Sequence, residues 1–384
     1  MNDNKTSKNS IVAKFAVPIS FLILFFLAAN FTDCDLVTFW KRRNHLTDLV
    51  VDMIPPDFSY IQKILLPLFY TIQMSVTGTV LGIFFALVLS PFGAANLGFP
   101  AVIRRILRIV IQILRSFPAL ILALTATFLF GLGTFAGTFA ITLYTFAIMT
   151  TLTYEDASAA DVKAYQALRA MGVSKYVAYI HGILPEIIPG FLTNALYLLE
   201  TNVRHSSILG YVGAGGIGLL LNEKISWLEY DKVGTILLML FLTVCVIEYF
   251  SRYLAALIRK ERTIKKEQAR LLLLFLAALF LICTFTLSLP DFSRTSPQTL
   301  RNMFAGFLQP DWSFFFSAEK DGLGYLLLET VCIAFIGTVI GAIVSAPLAF
   351  LNTKRFVPAP VSFLFNLVIM VIRSVPFLVY GLIF

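Results

Sequence analysis

Ile64 to Ser90 read ILLPLFYTIQMSVTGTVLGIFFALVLS, a stretch without one charged side chain. Crossing a hydrocarbon core of roughly 30 Å takes about 20 helical residues, because backbone polar groups in lipid have no water to bond and must be satisfied within the segment. This stretch is long enough. Working outward, similar apolar runs lie at Phe15 to Phe31, Ile106 to Phe130, Phe135 to Thr151, Ile187 to Leu209, Val233 to Leu257, Leu271 to Leu289, Leu323 to Leu351 and Val361 to Phe384. The expected fold class is all-α: a polytopic transmembrane helical bundle with about nine spans.

Composition agrees. Of 384 residues 58% are hydrophobic and 14% charged, and there are 37 Phe, whereas a soluble domain carries about 25% charged residues. An ordinary soluble enzyme is thereby excluded, and with 22 Gly and 4 Cys so are collagen-like and disulfide-stapled chains. Lys5, Lys8 and Lys14 before the first run would suit a secretory signal. The matching apolar run at Leu271 to Leu289, where no signal peptide can lie, argues for a span at both places.

With a cytoplasmic N-terminus, the larger share of the 30 Lys and Arg falls inside, including Arg104, Arg105, Arg108, Lys163, Arg169, Lys175 and the run from Arg259 to Arg270. The cluster Lys41 to Arg43 runs against this rule. The net charge of +8 then sits mainly on the cytoplasmic face and suits anionic membrane lipid. Nothing points to nucleic acid.

The chain repeats itself. TIQMSVTGTVLG from Thr71 matches TVCIAFIGTVIG from Thr330, RSFP at Arg115 matches RSVP at Arg373, and PDFS at Pro56 matches PDWS at Pro310. A complete copy has six spans, an even number, so both copies enter the membrane with the same polarity. The expected domains are residues 1–265, a complete copy with a cytoplasmic loop at 154–185, and residues 266–384, a second copy that stops after its third helix. Phe384 corresponds to Ala126, so the counterpart of Thr127 to Arg262 is expected from another chain or is lost through truncation or splitting of the gene.

The polar connection Tyr154 to Pro185 is far longer than the usual link between bundle helices. Within it Val162, Tyr165, Leu168 and Met171 recur on one helix face, Gly172 can end that helix, and a second short helix follows from Ser174. A bland reading is a linker helix resting on headgroups. The order Gln166-Ala167-Leu168, Gly172, Leu184-Pro185 resembles the EAA loop of ABC importer permeases, Glu-Ala-Ala, three residues, Gly, nine residues, Ile, one residue, Leu-Pro. Gln166 stands for the Glu and Gly182 for the Ile. The resemblance implies docking on a separate ATPase subunit, with a neutral hydrogen bond from Gln166 in place of a charged one.

Beyond the loop, Leu184 to Leu221 is similar to the phosphonate/phosphite permease family, matching at Asn202, Val203, Arg204, Ser206, Leu209, Gly210 and Val212 to Gly218. The resemblance implies a type I ABC importer permease in the bacterial cytoplasmic membrane. It also implies two ATPase partners, which hold the ATP, an extracytoplasmic solute-binding protein, and a phosphonate- or phosphite-type anion as cargo. Rival readings are a permease for another solute such as an amino acid, an ion-driven secondary transporter, and a nonfunctional remnant.

Gly213, Gly215 and Gly218 satisfy G-x-G-x-x-G, but a dinucleotide fingerprint needs a strand before it and this motif follows an apolar run. Gly213, Gly215, Gly216 and Gly218 are read instead as a turn or close helix contact lining the pathway. Glu200 and Arg204 have the spacing at which opposite charges meet on a helix, and intramembrane charges usually face a protein interior or a watery cavity. They join Asn202 as pathway or gate candidates, with Arg204 as receiver of anionic oxygens. Arg115 and Arg373 open the repeated Arg-Ser-x-Pro, where snorkelling to the interface competes with a gate role, and Pro118 and Pro376 are candidate kinks. His and Cys lack ligand spacing for a metal, and no G-x-x-x-x-G-K-[ST] occurs, so neither a metal, a cofactor nor catalysis is expected in this chain.

Overall fold

The computed structural model describes residues 19–33, 51–261, 265–290, 311–317, 322–353 and 355–374, with isolated positions at 41, 44, 47, 48, 298, 301, 302, 305, 306, 309 and 381. Lys5, Lys8, Lys14, Arg42, Arg43, Pro310, Pro376 and Phe384 lie outside the described residues. In chain order the helices are α1 (Ile19–Phe31), α2 (Ile61–Gly93), α3 (Ala101–Ser116), α4 (Ala119–Phe130), α5 (Thr134–Ala159), α6 (Lys163–Ala170) and α7 (Lys175–Gly182). They continue with α8 (Leu184–Leu209), α9 (Ile217–Ser226), α10 (Tyr230–Ile258), α11 (Lys266–Phe285), α12 (Trp312–Phe315), α13 (Leu323–Asn352) and α14 (Ala359–Ser374). The described residues contain no strand, as an all-α reading requires.

Among the described residues five helices are long and apolar enough to cross a membrane, or seven if each of two bent pairs is one span. The nine expected runs thus do not become nine straight crossings. Ile106 to Phe130 is broken: α3 and α4 meet at 94°. The reason is local, because Pro118 has no N–H to continue the ladder and holds Phe117 in an extended conformation (φ −83°, ψ 123°). Of the first run residues 19–31, and of the last residues 361–374 and 381, are described, all as helix.

The chain divides into two compact units, 49–302 with 371–384, and 1–48 with 303–370. In the first, α2 and α5 pack along a stripe of small residues. A Cβ on Gly78 would stand 2.8 Å from Ile141 Cβ, and one on Gly82 would stand 2.7 Å from Thr145 Cβ, so the helices approach as closely as small-xxx-small contacts allow. Met74, Leu122, Ala123, Ala140, Ile141, Leu209 and Ala214 fill one buried cluster there. Ile64, Val203, Ile217, Leu221, Val233 and Ile236 belong to another, where α10 closes the bundle. In the second unit α13 meets α1 through rings, Phe21 on Phe335 at 5.2 Å and Phe31 on Tyr325 at 5.0 Å between centroids.

Candidate functional site

The long polar connection folds as the expected helix-turn-helix. α6 ends where Gly172 takes a left-handed backbone (φ +87°), with Val173 N–H bonded to Leu168 O at 3.2 Å and Gly172 N–H to Arg169 O at 3.0 Å. This is the paired C-cap in which glycine avoids the Cβ penalty. Ser174 Oγ then accepts from Val177 N–H to start α7. Tyr165, buried, donates to Leu97 O at 2.6 Å and packs with Ala94, Ala157, Ala178, Tyr179 and Ile183. Burial of its ring pushes the Tyr165 phenol pKa up. At the outer edge, the Lys163 backbone N–H holds the Asp161 carboxyl below its ordinary range.

The two departures from the loop pattern acquire places. Gly182 lies where a Cβ would stand 2.8 Å from Tyr165 N, so α7 rests directly on the α6 backbone and an Ile at 182 would push it off. The apolar side chain is supplied one residue later by Ile183, which is fully buried. Gln166, Ala167, Met171, Gly172 and Pro185 are exposed and Leu184 is half-buried, leaving a free edge on a rigid base. Arg169 and Lys175 tie the turn down through Val173 O and Gly98 O.

A second group lies within the bundle. Arg204 Nη2 is 2.6 Å from Glu200 Oε1, with both side chains nearly buried, and Arg373 Nη2 reaches the same oxygen at 3.3 Å. Arg373, for which snorkelling was the competing expectation, thus shares a carboxylate with Arg204. Arg115 is exposed and, among the described residues, makes no ion pair with Glu200; its charge acts on the Tyr144 phenol. The Tyr144 ring meets His205 edge-on at 5.3 Å.

Asn202 is placed differently from its neighbours. It is fully buried, and its Nδ2 donates to Thr79 Oγ1 and Thr145 Oγ1, both at 2.8 Å, joining α8 to α2 and α5. It reaches no open surface. Ser75 and Ser206 hydroxyls lie 2.5 Å apart in the same seam. This ladder escaped the reading of charges and glycines; its signal was the i, i+4 run Thr71, Ser75, Thr79.

The glycine motif is the turn from α8 into α9. Gly213, Gly215 and Gly216 have φ of +81°, +79° and +74°, and Ile217 N–H donates to Thr71 Oγ1 at 2.8 Å. Gly218 meets the tightest constraint, since a Cβ there would stand 1.8 Å from Ser207 O. The four glycines therefore set the joint between α8, α9 and α2, with Gly216 and Gly218 buried and Gly213 and Gly215 half-buried. Among the described residues no three His, Cys, Asp or Glu cluster as metal ligands would.

The profile of the family described as "Binding-protein-dependent transport system inner membrane component" matches residues 78–263. The phosphite transport system permease protein PtxC of Stutzerimonas stutzeri is 30% identical over 217 residues, which is 56% of this chain and 79% of that protein. The chain belongs to this family of transport permeases. The permease is also 31% identical to the phosphate-import permease protein PhnE of Mycolicibacterium smegmatis over 203 residues, 53% of this chain and 38% of that one. A solved chain of the inward-facing MetNI methionine ABC transporter covers 53% of the permease at 20% identity and a TM-score of 0.47. The helix-turn-helix, the charge cluster at Glu200 and the glycine turn all lie inside the matched residues, except for Arg373. As a family member the chain is an integral, multi-pass membrane component of a transport system rather than an enzyme.

Proposed function

We propose that the chain is the translocating permease of an ABC importer whose cargo is a small phosphorus oxyanion such as phosphite, phosphonate or phosphate. The observation that carries this is the cluster at Glu200. Two guanidinium groups share one carboxylate oxygen, Arg204 nearly buried and Arg373 about half exposed, so a positive charge is left over where the bundle opens, and intramembrane charges normally serve a pathway. An anionic phosphorus oxygen suits it, because guanidinium donates in a planar fork. The names of the relatives point the same way.

The exposed edge Gln166, Ala167, Met171 and Gly172 would dock on an ATPase subunit, two per transporter, with an external binding protein on the opposite face and the N-terminus in the cytoplasm. The glycine turn of Gly213, Gly215, Gly216 and Gly218, packed between α8 and α9, would carry loop movement to the pathway, where Arg115 would line the approach to Arg204. Domain 266–384 reads as a second copy of 1–265. Asp57 Oδ1 accepts from Ser59 N–H and Asp311 Oδ1 from Ser313 N–H, each at 2.9 Å, so the two matched segments share an Asp-to-Ser bond, which opens a 3-10 turn at Phe58–Tyr60 and an α-helical turn at Trp312–Phe315.

The test is uptake of radiolabelled phosphite, methylphosphonate and phosphate by cells dependent on this system, with and without Arg204→Gln. Loss of a charge-assisted contact predicts uptake lower on the order of tenfold or more at equal membrane abundance. Unchanged uptake of all three would remove the role, and uptake that survives ATP depletion would remove the ABC reading.

A further inference from the structure

A groove of about 720 Å³ opens between α2, α8, α10 and α11. Its wall is apolar apart from Thr79 and Ser251, with Val76, Leu196, Leu254 and Leu276 facing one another across it. The volume is that of a ligand pocket rather than a packing defect. Along α11 the lining runs from Ala269 to Phe280, about 16 Å at the helical rise and close to one leaflet of a roughly 30 Å core.

The two ends of the groove differ. Near its far end α11 is fastened to α2, because Gln73 Nε2 donates to Cys283 O at 3.0 Å and to Thr286 Oγ1 at 2.8 Å. At the other end, where Leu257, Ile258 and Ala269 form the rim, the described chain carries Arg259, Lys260, Lys265, Lys266 and Arg270, all exposed, against only Glu261 and Glu267. An apolar slot one leaflet deep therefore ends in a surplus of positive charge. None of these residues belongs to the Glu200 cluster or to the exposed edge of the helix-turn-helix.

We infer that this groove binds one anionic phospholipid, an acyl chain lying between α11 and the α2–α8–α10 bundle and the phosphate headgroup resting on the Lys266 and Arg270 rim. The chemistry on both sides is complementary: hydrocarbon meets an apolar wall, and basic pockets between membrane helices attract anionic headgroups. The bound chain fills the crevice that α11 leaves open below its fastening at Gln73, so the lipid acts as a packing element for that helix.

Native mass spectrometry of the intact permease in a non-ionic detergent tests this with dioleoyl phosphatidylglycerol and dioleoyl phosphatidylcholine, whose chains are identical. One phosphatidylglycerol per chain is expected to survive delipidation that removes phosphatidylcholine. Ala269→Trp, which plugs the rim, should abolish retention. Because that change also risks misfolding, Lys266→Gln with Arg270→Gln, both on exposed side chains, is the second arm and should weaken phosphatidylglycerol binding on the order of tenfold while leaving phosphatidylcholine unchanged. Equal retention of the two lipids would show ordinary boundary lipid and overturn the assignment, as would unaltered binding in the double variant. Displacement by glycerol 3-phosphate would overturn the acyl-chain part, leaving only an anion on the rim.

Discussion

α2 and α13 carry matching sequence, Thr71 to Gly82 against Thr330 to Gly341, and live in different surroundings. Half of the most apolar window of α2 is buried inside the protein, against 6% for α13. Gly78 and Gly82 are pressed against Ile141 and Thr145, whereas a Cβ on Gly337 or Gly341 meets none of the described residues within 4 Å. The Thr79 hydroxyl accepts from Asn202, while that of Thr338, among the described residues, bonds its own helix at Ala334 O. The same small-and-hydroxyl stripe is a seam in one helix, while in the other it has no partner among the described residues of its own unit. A stripe of this kind is a capacity for close contact, and it contributes stability only where a second helix lies along it.

Paired substitutions can break this contrast. The largest effect is expected from Gly82→Val, whose branched side chain would collide with Thr145 and with Thr142 O 2.8 Å away. Overpacking of this kind costs about 1–3 kcal/mol and should lower the thermal midpoint and the monodisperse yield, with Gly341→Val close to wild type. If both variants fell together, α13 would have a helix partner along its stripe. A smaller effect follows from Thr79→Val, which strips an acceptor from the buried Asn202 amide at a cost of about 1 kcal/mol. Thr338→Val, measured the same way, should not move the midpoint.

The smallest effect belongs to a place where the two matched sequences make the same hydrogen bond. Hydrogen bonds from Ser59 and from Ser313 hold the Asp57 and Asp311 carboxyls below the usual range. A depressed folded pKa contributes stability that is complete above the ordinary carboxylate value and is lost as pH falls through the lowered one. Asp57→Asn and Asp311→Asn should each flatten the acid limb of the melting curve slightly and to a similar degree, read between pH 5 and pH 2. A change in only one would mean that the two turns are not equivalent.

Much of the bundle was legible from residue order. Apolar length marked the helices, Gly172 marked the end of α6, and the i, i+4 spacing of Glu200 and Arg204 predicted their pairing. Pro118 was read as a kink and proved to be a 94° break, because an extended Phe117 beside a proline cannot continue a helix. What residue order missed lies between segments far apart in the chain. Arg373 joins Glu200 across 173 positions, and no local pattern announces it. Asn202, named among the pathway candidates for its match to the family, bonds to Thr79 and Thr145 on two other helices, and no local pattern announces that either.

From the sequence alone came the membrane, the all-helical class, the helix-turn-helix loop and the repeated small-residue stripe. Each of these follows from composition, or from the need of a backbone in lipid to bond to itself within a few residues. Only the tertiary structure decided which stripe is filled, which arginines share a carboxylate and which amide is buried. Those depend on distances between helices separated by tens to hundreds of residues, and packing rather than local periodicity sets such distances.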